Sequence, residues 1–190
     1  MTSADRDPGT GAMRGGLERL WTPHRMSYIT AAAPKVASDG GELSGHPFLD
    51  IPRMTDEDGL IIARGESVYA VLNLYPYNPG HTMVVPYRQV ADLEDLTVPE
   101  SRELMAFTQH VIRTIKAVSS PDAFNVGLNL GSAAGGSLSE HLHQHVVPRW
   151  SGDANFITVV GDTKVMPQLL ADTRDLLATK WIELGGPASA

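Results

Sequence analysis

The chain has 190 residues, 42% of them hydrophobic and 19% charged, and contains no cysteine; this suits a soluble globular domain and excludes collagen, coiled coil, wholesale disorder, thiolate nucleophiles and Cys-ligated metal. Fifteen Lys and Arg against twenty-two Asp and Glu give a net charge of −7, which opposes a broad electrostatic footprint for nucleic acid or an anionic membrane, so an anionic ligand has to be held locally. No run approaches about 18 uninterrupted apolar residues and the N-terminus lacks the apolar core of a secretory signal, which predicts a cytoplasmic protein.

Residues 1–16 combine Gly, Pro, Asp and Ser with almost nothing apolar and read as a tail. A single domain is expected over 17–185, with a second tail at 186–190. LERLWTPHRMSYI reads as a short helix or turn, and AAAPKVASDGGELSGHP as a long surface loop. From Gly59 the runs GLIIARG, SVYAVLNL and HTMVVPYR are β-branched or aromatic and punctuated by Gly, Pro and Asn, which predicts three strands of an antiparallel meander. In DLTVPESRELMAFTQHVIRTIKAVSS, Leu104, Thr108, Val111, Ile115 and Val118 recur at three- and four-residue intervals, so they share one face of a helix. Thr97 and Glu100 form its capping box, with Pro99 in the first turn. Two further strands, AFNVGLNLG and HLHQHVVPRW, are joined by SAAGGSLSE. A last helix is expected over 164–183, with Leu169, Leu170, Thr173, Leu176 and Leu177 as its apolar stripe. The sum is an α+β domain: an antiparallel sheet of about five strands with two main helices.

Three of the seven histidines, His141, His143 and His145, fall within five positions; random scatter gives such a run roughly one time in a hundred. On a strand, residues two apart point to the same side, so the three imidazoles line one surface while Leu142, Gln144 and Val146 face the other. Zinc is a first thought, but strand spacing puts His141 and His145 ~13 Å apart, whereas ligands of one ion lie within ~4 Å of each other. Two of the three reach a common metal more readily than all three. The other reading is nucleophilic or acid–base work, in which one ring nitrogen attacks while the second is held. The preceding loop, Gly131 to Ser137, offers successive backbone N–H groups for an anion-binding nest, with Gly135 and Gly136 allowing close approach.

HLHQHVV (141–147) matches the His-x-His-x-His pattern of the histidine triad (HIT) family of nucleotide hydrolases and transferases, which this chain resembles. YAVLNLYPYNPGHTMVVPYR (69–88) is similar to the family's first hairpin with its Pro-Gly-His turn, and LWTPHRMSYI with VVPRWSGDANF resembles a bacterial branch. The resemblance implies a HIT-like fold and a nucleotidyltransferase that cleaves diadenosine tetraphosphate to ATP and ADP through a covalent nucleotidyl-histidine. By that resemblance His143 is the nucleophile, His145 contacts the phosphate in transit and His141 positions the array. Asn129, Gly135, Gly136 and Ser137 would hold phosphate oxygens, Ser137 being taken in preference to Ser139, and Asn73 would lie near a ribose. His81 reads as structural support. Trp150, just past the histidine strand, is a candidate for stacking on a base or shaping the leaving-nucleotide pocket.

The partners implied are a dinucleoside polyphosphate and inorganic phosphate, without nucleic acid or membrane, in a homodimer or higher homo-oligomer. No tightly bound cofactor is expected, at most Mg2+ arriving with the substrate. Related bacterial proteins often bind zinc through a Cys-x-x-Cys pair, a later His and the first motif histidine. Here those stretches read SGHPFLDIP and Gln89, and His46 alone does not rebuild the site, so no metal is expected. His145 stands where eukaryotic tetraphosphate phosphorylases and uridylyltransferases carry Gln and where hydrolases and phosphoramidases carry His. Hydrolase and phosphoramidase therefore remain as alternatives within the family. A nucleotide-binding signalling module and a protein binding metal through His141 and His143 stand outside it.

Overall fold

The computed structural model describes residues 18–21, 38, 41–134, 138–154, 160 and 163–187. In chain order it contains β1 (Glu18–Trp21), α1 (Pro47–Asp50), β2 (Ile61–Arg64), β3 (Val68–Leu72), β4 (Thr82–Pro86), α2 (Val98–Ser119), β5 (Ala123–Leu128), β6 (Gln144–Arg149), β7 (Thr163–Met166) and α3 (Leu170–Glu183). Five strands form one antiparallel sheet in the order β2-β3-β4-β6-β5. The expected five-stranded α+β architecture is what the chain adopts.

The hydrophobic pattern explains the layering. Every residue of β3 and β4 is buried, as expected of central strands, and α2 lies across β3, β4 and β6 while α3 packs on α2 and β2. The core joins Tyr69, Val71 and Val84 of the sheet to Leu104, Phe107, Val111 and Ile115 of α2 and to Leu177 and Trp181 of α3. α2 begins as its sequence predicts: Thr97 Oγ1 accepts from the Glu100 N–H and the Glu100 carboxylate accepts from the Thr97 N–H. Arg88, just past β4, donates two hydrogen bonds to that carboxylate at 2.9 and 2.8 Å and holds its pKa down to about 2.

Four expectations change. Within the stretch expected to be a short helix or turn, Glu18–Trp21 is a strand that pairs in parallel with Thr163–Met166 in a separate two-stranded sheet. The last helix starts at Leu170 rather than 164, because β7 occupies 163–166 and Pro167 cannot sit inside a helix. On α3, Leu176 is exposed and Trp181 takes a buried place on the stripe. The stretch read as a long loop ends in α1, one helical turn opened by Pro47. Residues 1–16 lie outside the described residues. At the other end, Gly186 and Pro187 fold back on α3, where the Trp181 indole donates to the Pro187 carbonyl. Among the described residues no helix is long and apolar enough to cross a membrane.

Candidate active site

The motif histidines straddle the start of β6. The ladder begins at Gln144, opposite Val84, so His141–His143 precede the strand instead of lying within it as the sequence pattern suggested. Pro86 ends β4 and has no N–H to continue the pairing; its carbonyl accepts from His141 Nε2 at 2.8 Å, and the Leu142 N–H donates beyond it to Val90. From Gln144 onward the predicted alternation holds. Gln144 points inward and donates to Thr108 of α2 at 2.7 Å, Val146 is buried, and His145 lies on the outer face.

The rings form a continuous row. His46 lies 5.2 Å from His141, centroid to centroid, Phe48 lies 5.4 Å from His141 and 4.9 Å from His143, and His143 is 4.9 Å from His145. The row continues through His81, 5.1 Å from His145, to Tyr77 at 4.8 Å from His81. Phe48 is the apolar wall behind His141 and His143. It is held by the buried Tyr69, whose hydroxyl donates to the Phe48 carbonyl, and by Asp50, which accepts from Ser44 and Gly45 N–H groups and the Ser44 hydroxyl. Burial alone raises the Asp50 pKa, but these donors outweigh it and hold the carboxyl below its ordinary value.

Hydrogen-bond chemistry fixes the protons. A carbonyl only accepts, so the 2.8 Å contact from His143 Nδ1 to the His141 carbonyl requires the proton on Nδ1 and leaves the Nε2 lone pair available. His81 Nδ1 accepts from the Tyr77 backbone N–H at 3.1 Å, so its proton is on Nε2, which donates to His145 Nδ1 at 2.9 Å. Neutral His145 then carries its own proton on Nε2, a buried atom without a partner among the described residues. One imidazole thus offers a lone pair while its neighbour, 4.9 Å away, offers an N–H. Burial, and secondarily the nearby His143, push the His145 pKa down to about 4, so this N–H belongs to a neutral ring at neutral pH.

These depressed values predict an acid-sensitive fold. Burial lowers His145, and also His141 and His110, below the ordinary 6.5. Between that value and their native ones the unfolded chain binds more protons than the native one. Stability is therefore full above about pH 6.5 and falls as pH drops towards 4. Thermal melts should show a Tm several degrees lower at pH 5 than at pH 7; an unchanged Tm would contradict neutral burial of these rings.

A cavity of about 580 Å³ opens on the outer face beside His145, lined by Tyr77, Asn78 and Asn125–Asn129 and, further along, by Arg149 of β6 and by Asp153. A model of the HIT domain matches residues 55–152, half of the chain. The chain belongs to the HIT domain family. Over 175 residues it is 65% identical to a Mycobacterium tuberculosis protein named AP-4-A phosphorylase, spanning 92% of this chain and 89% of that one. A bis(5'-adenosyl)-triphosphatase of Saccharomyces cerevisiae is 39% identical over 103 residues, 54% of this chain and 47% of that one. Among solved structures, a zinc-bound histidine triad protein from Mycobacterium smegmatis superposes with TM-score 0.56 at 27% identity, covering 66% of this chain and 86% of that one.

Within this HIT site the sequence candidates divide. His141, His143 and His145 come together, and Asn129 lines the cavity beside His145. Gly135, Gly136 and Ser137 lie outside the described residues. Asn73 is not among the lining residues; its Oδ1 accepts from the Tyr75 N–H and its Nδ2 points to His81 Nδ1 at 3.4 Å, so it braces the turn. Trp150 is also absent from the lining, its indole N–H reaching the Ser119 carbonyl at the end of α2. Two residues that sequence reasoning passed over matter here. Phe48 was hidden in a Gly- and Ser-rich stretch, and Asn78 ties the Pro-Gly-His turn to β6 by donating to the Pro148 carbonyl and to Asp153. His46 lies tilted by 38° against His141 and approaches Glu140 at 3.8 Å, and among the described residues no three His, Asp or Glu side chains gather as ligands of one ion.

Proposed function

We propose that this HIT protein is a nucleotidyltransferase that phosphorolyses diadenosine tetraphosphate to ATP and ADP through a covalent adenylyl-His143. The proton arrangement carries the reading: an Nε2 lone pair on His143 stands beside a buried Nε2–H on His145 that has no partner among the described residues. The relative from Mycobacterium tuberculosis, 65% identical along nearly the whole chain, names the substrate.

In the first step the His143 lone pair attacks an α-phosphorus and a P–N bond forms as the P–O bond to the bridging oxygen breaks, with the electron pair leaving on ATP. The positive charge that develops on the imidazole is met by the His141 carbonyl, already bonded to Nδ1–H at 2.8 Å. His145 Nε2–H donates to a phosphate oxygen as charge builds there, and Asn129 adds a carboxamide on the same side. In the second step an oxygen of inorganic phosphate attacks the same phosphorus, the P–N bond returns its pair to Nε2, and ADP leaves. Splitting the transfer this way replaces one difficult displacement by two easier ones. The enzyme works in the cytoplasm as a homo-oligomer on this reading, and the edge position of β5 leaves backbone groups open for pairing.

A second reading is hydrolysis, favoured by the likeness to the yeast triphosphatase over half of the chain. The first step is then identical and water replaces phosphate. Incubation with diadenosine tetraphosphate should yield ATP and ADP only when phosphate is present. ATP and AMP irrespective of phosphate would decide for hydrolysis.

A further inference from the structure

We infer that the outer face of β5 and β6 beyond His145 is the seat of the second nucleoside of the substrate, the one that departs with the polyphosphate. This rests on the nucleotidyl-transfer reading above and specifies which part of a dinucleoside polyphosphate the site recognises.

The register builds the platform. Asn125 lies opposite Val147 and Gly127 opposite His145, and residues two apart share a face. Asn125, Gly127 and Asn129 therefore stand in one row beside His145, Val147 and Arg149 in the next, and all six line the cavity. Gly127 is the telling position. Its φ is not positive, so the backbone does not demand glycine, and a Cβ built there meets nothing within 4 Å among the described residues, so packing does not demand it either. Glycine weakens a strand, and in a strand interior it often marks a close approach by a ligand or another backbone. Any larger side chain at Gly127 would rise into the cavity beside the His145 ring.

The chemistry of the platform changes along its length. Its near end is formed by the His145 ring, whose Nε2–H is buried and without a partner among the described residues, and by the Asn129 carboxamide, a donor for phosphate oxygens. Its far end is neutral: Arg149 is tied to Asp153 by contacts of 2.6 and 2.9 Å and donates to Asn125 Oδ1 at 2.8 Å, while Asn78 donates to the same Asp153 carboxylate. A guanidinium whose charge is matched by a fixed carboxylate suits the hydrogen-bonding edges of a base and a sugar better than another phosphate. The two ends are four strand steps apart, ~13 Å, so an oligophosphate leaving His143 past His145 would deliver its nucleoside there. Tyr77 forms the wall: its ring packs on His81 and His145 and is 52% exposed, which leaves aromatic surface for a base.

The test compares kcat/KM for diadenosine tetraphosphate with that for adenosine 5′-tetraphosphate, which keeps the scissile α-phosphorus and the phosphate chain but lacks the second nucleoside. The wild-type protein should prefer the dinucleoside. Gly127→Val, a change that favours strand structure, and Tyr77→Leu, which preserves the backbone N–H to His81, should each reduce that preference tenfold or more. Light scattering should show the oligomeric state of both variants unaltered. Equal losses on both substrates, an unchanged ratio, or loss accompanied by dissociation of subunits would overturn the platform and leave the catalytic reading standing. Turnover of neither substrate by the wild-type protein would defeat the catalytic reading, and this one with it.

Discussion

Replacing His143 by alanine should lower turnover of diadenosine tetraphosphate by on the order of 10⁴-fold or more, the scale seen when a covalent nucleophile is removed. The loss should fall on kcat, because the ring makes its decisive contribution only once the P–N bond forms. Nucleotide affinity should change far less, since His145, Asn129 and the cavity remain. In the wild-type protein, substrate labelled at the α-phosphorus should leave label on the chain when phosphate is withheld, and in His143→Ala it should not. The buried ring packs 4.9 Å from Phe48, so alanine leaves a void in which neighbours can resettle. His143→Gln, which keeps most of the volume, is the control. It should be as inactive as the alanine variant yet melt close to the wild-type temperature. Substantial turnover by either variant would rule out nucleotidyl transfer through this residue.

How far the sequence revealed this site depended on whether the determining interactions are local. The capping box of Thr97 and Glu100 and the stripe from Leu104 to Ile115 are contained within a few turns of one helix, and both were legible. The alternation of His145 with Gln144 and Val146 was legible because strand period alone sets it. β1 and β7 were not, because each is short and its partner lies at the other end of the chain. α1 was missed for a related reason. Four residues carry no periodicity, and what holds them is the Tyr69 hydroxyl on the Phe48 carbonyl and the Asp50 carboxylate on the turn before. Trp150 was singled out by its proximity in sequence to the histidines; its contact from the indole N–H to the Ser119 carbonyl, across the bend at 150–153, depends on α2 and is not legible locally.

His81 was read as support for its turn, and the structure gives that support a chemical content. The Pro-Gly-His turn places Gly80 at φ +78, a conformation that glycine adopts without strain, and this brings the Tyr77 N–H onto His81 Nδ1 and His81 Nε2 onto His145 Nδ1. His81 touches no reacting atom; it is a positioning residue that selects the tautomer of His145. His81→Phe should therefore lower kcat by ~10²-fold, the usual worth of one placed proton donor, with little change in KM. Without a donor on its Nδ1, neutral His145 no longer has to keep its proton on Nε2, and a lone pair turned towards phosphate repels it. Protonation restores both N–H groups, so the deficit of His81→Phe against the wild-type protein should shrink as pH falls from 7 towards 5. His81→Gln should recover most of the activity at pH 7, because its Oε1 can accept from the Tyr77 N–H while its Nε2 donates to His145. A role confined to packing in this fully buried position predicts a different pattern: Phe would be tolerated about as well as Gln, and the ratio of either to the wild-type rate would not move with pH.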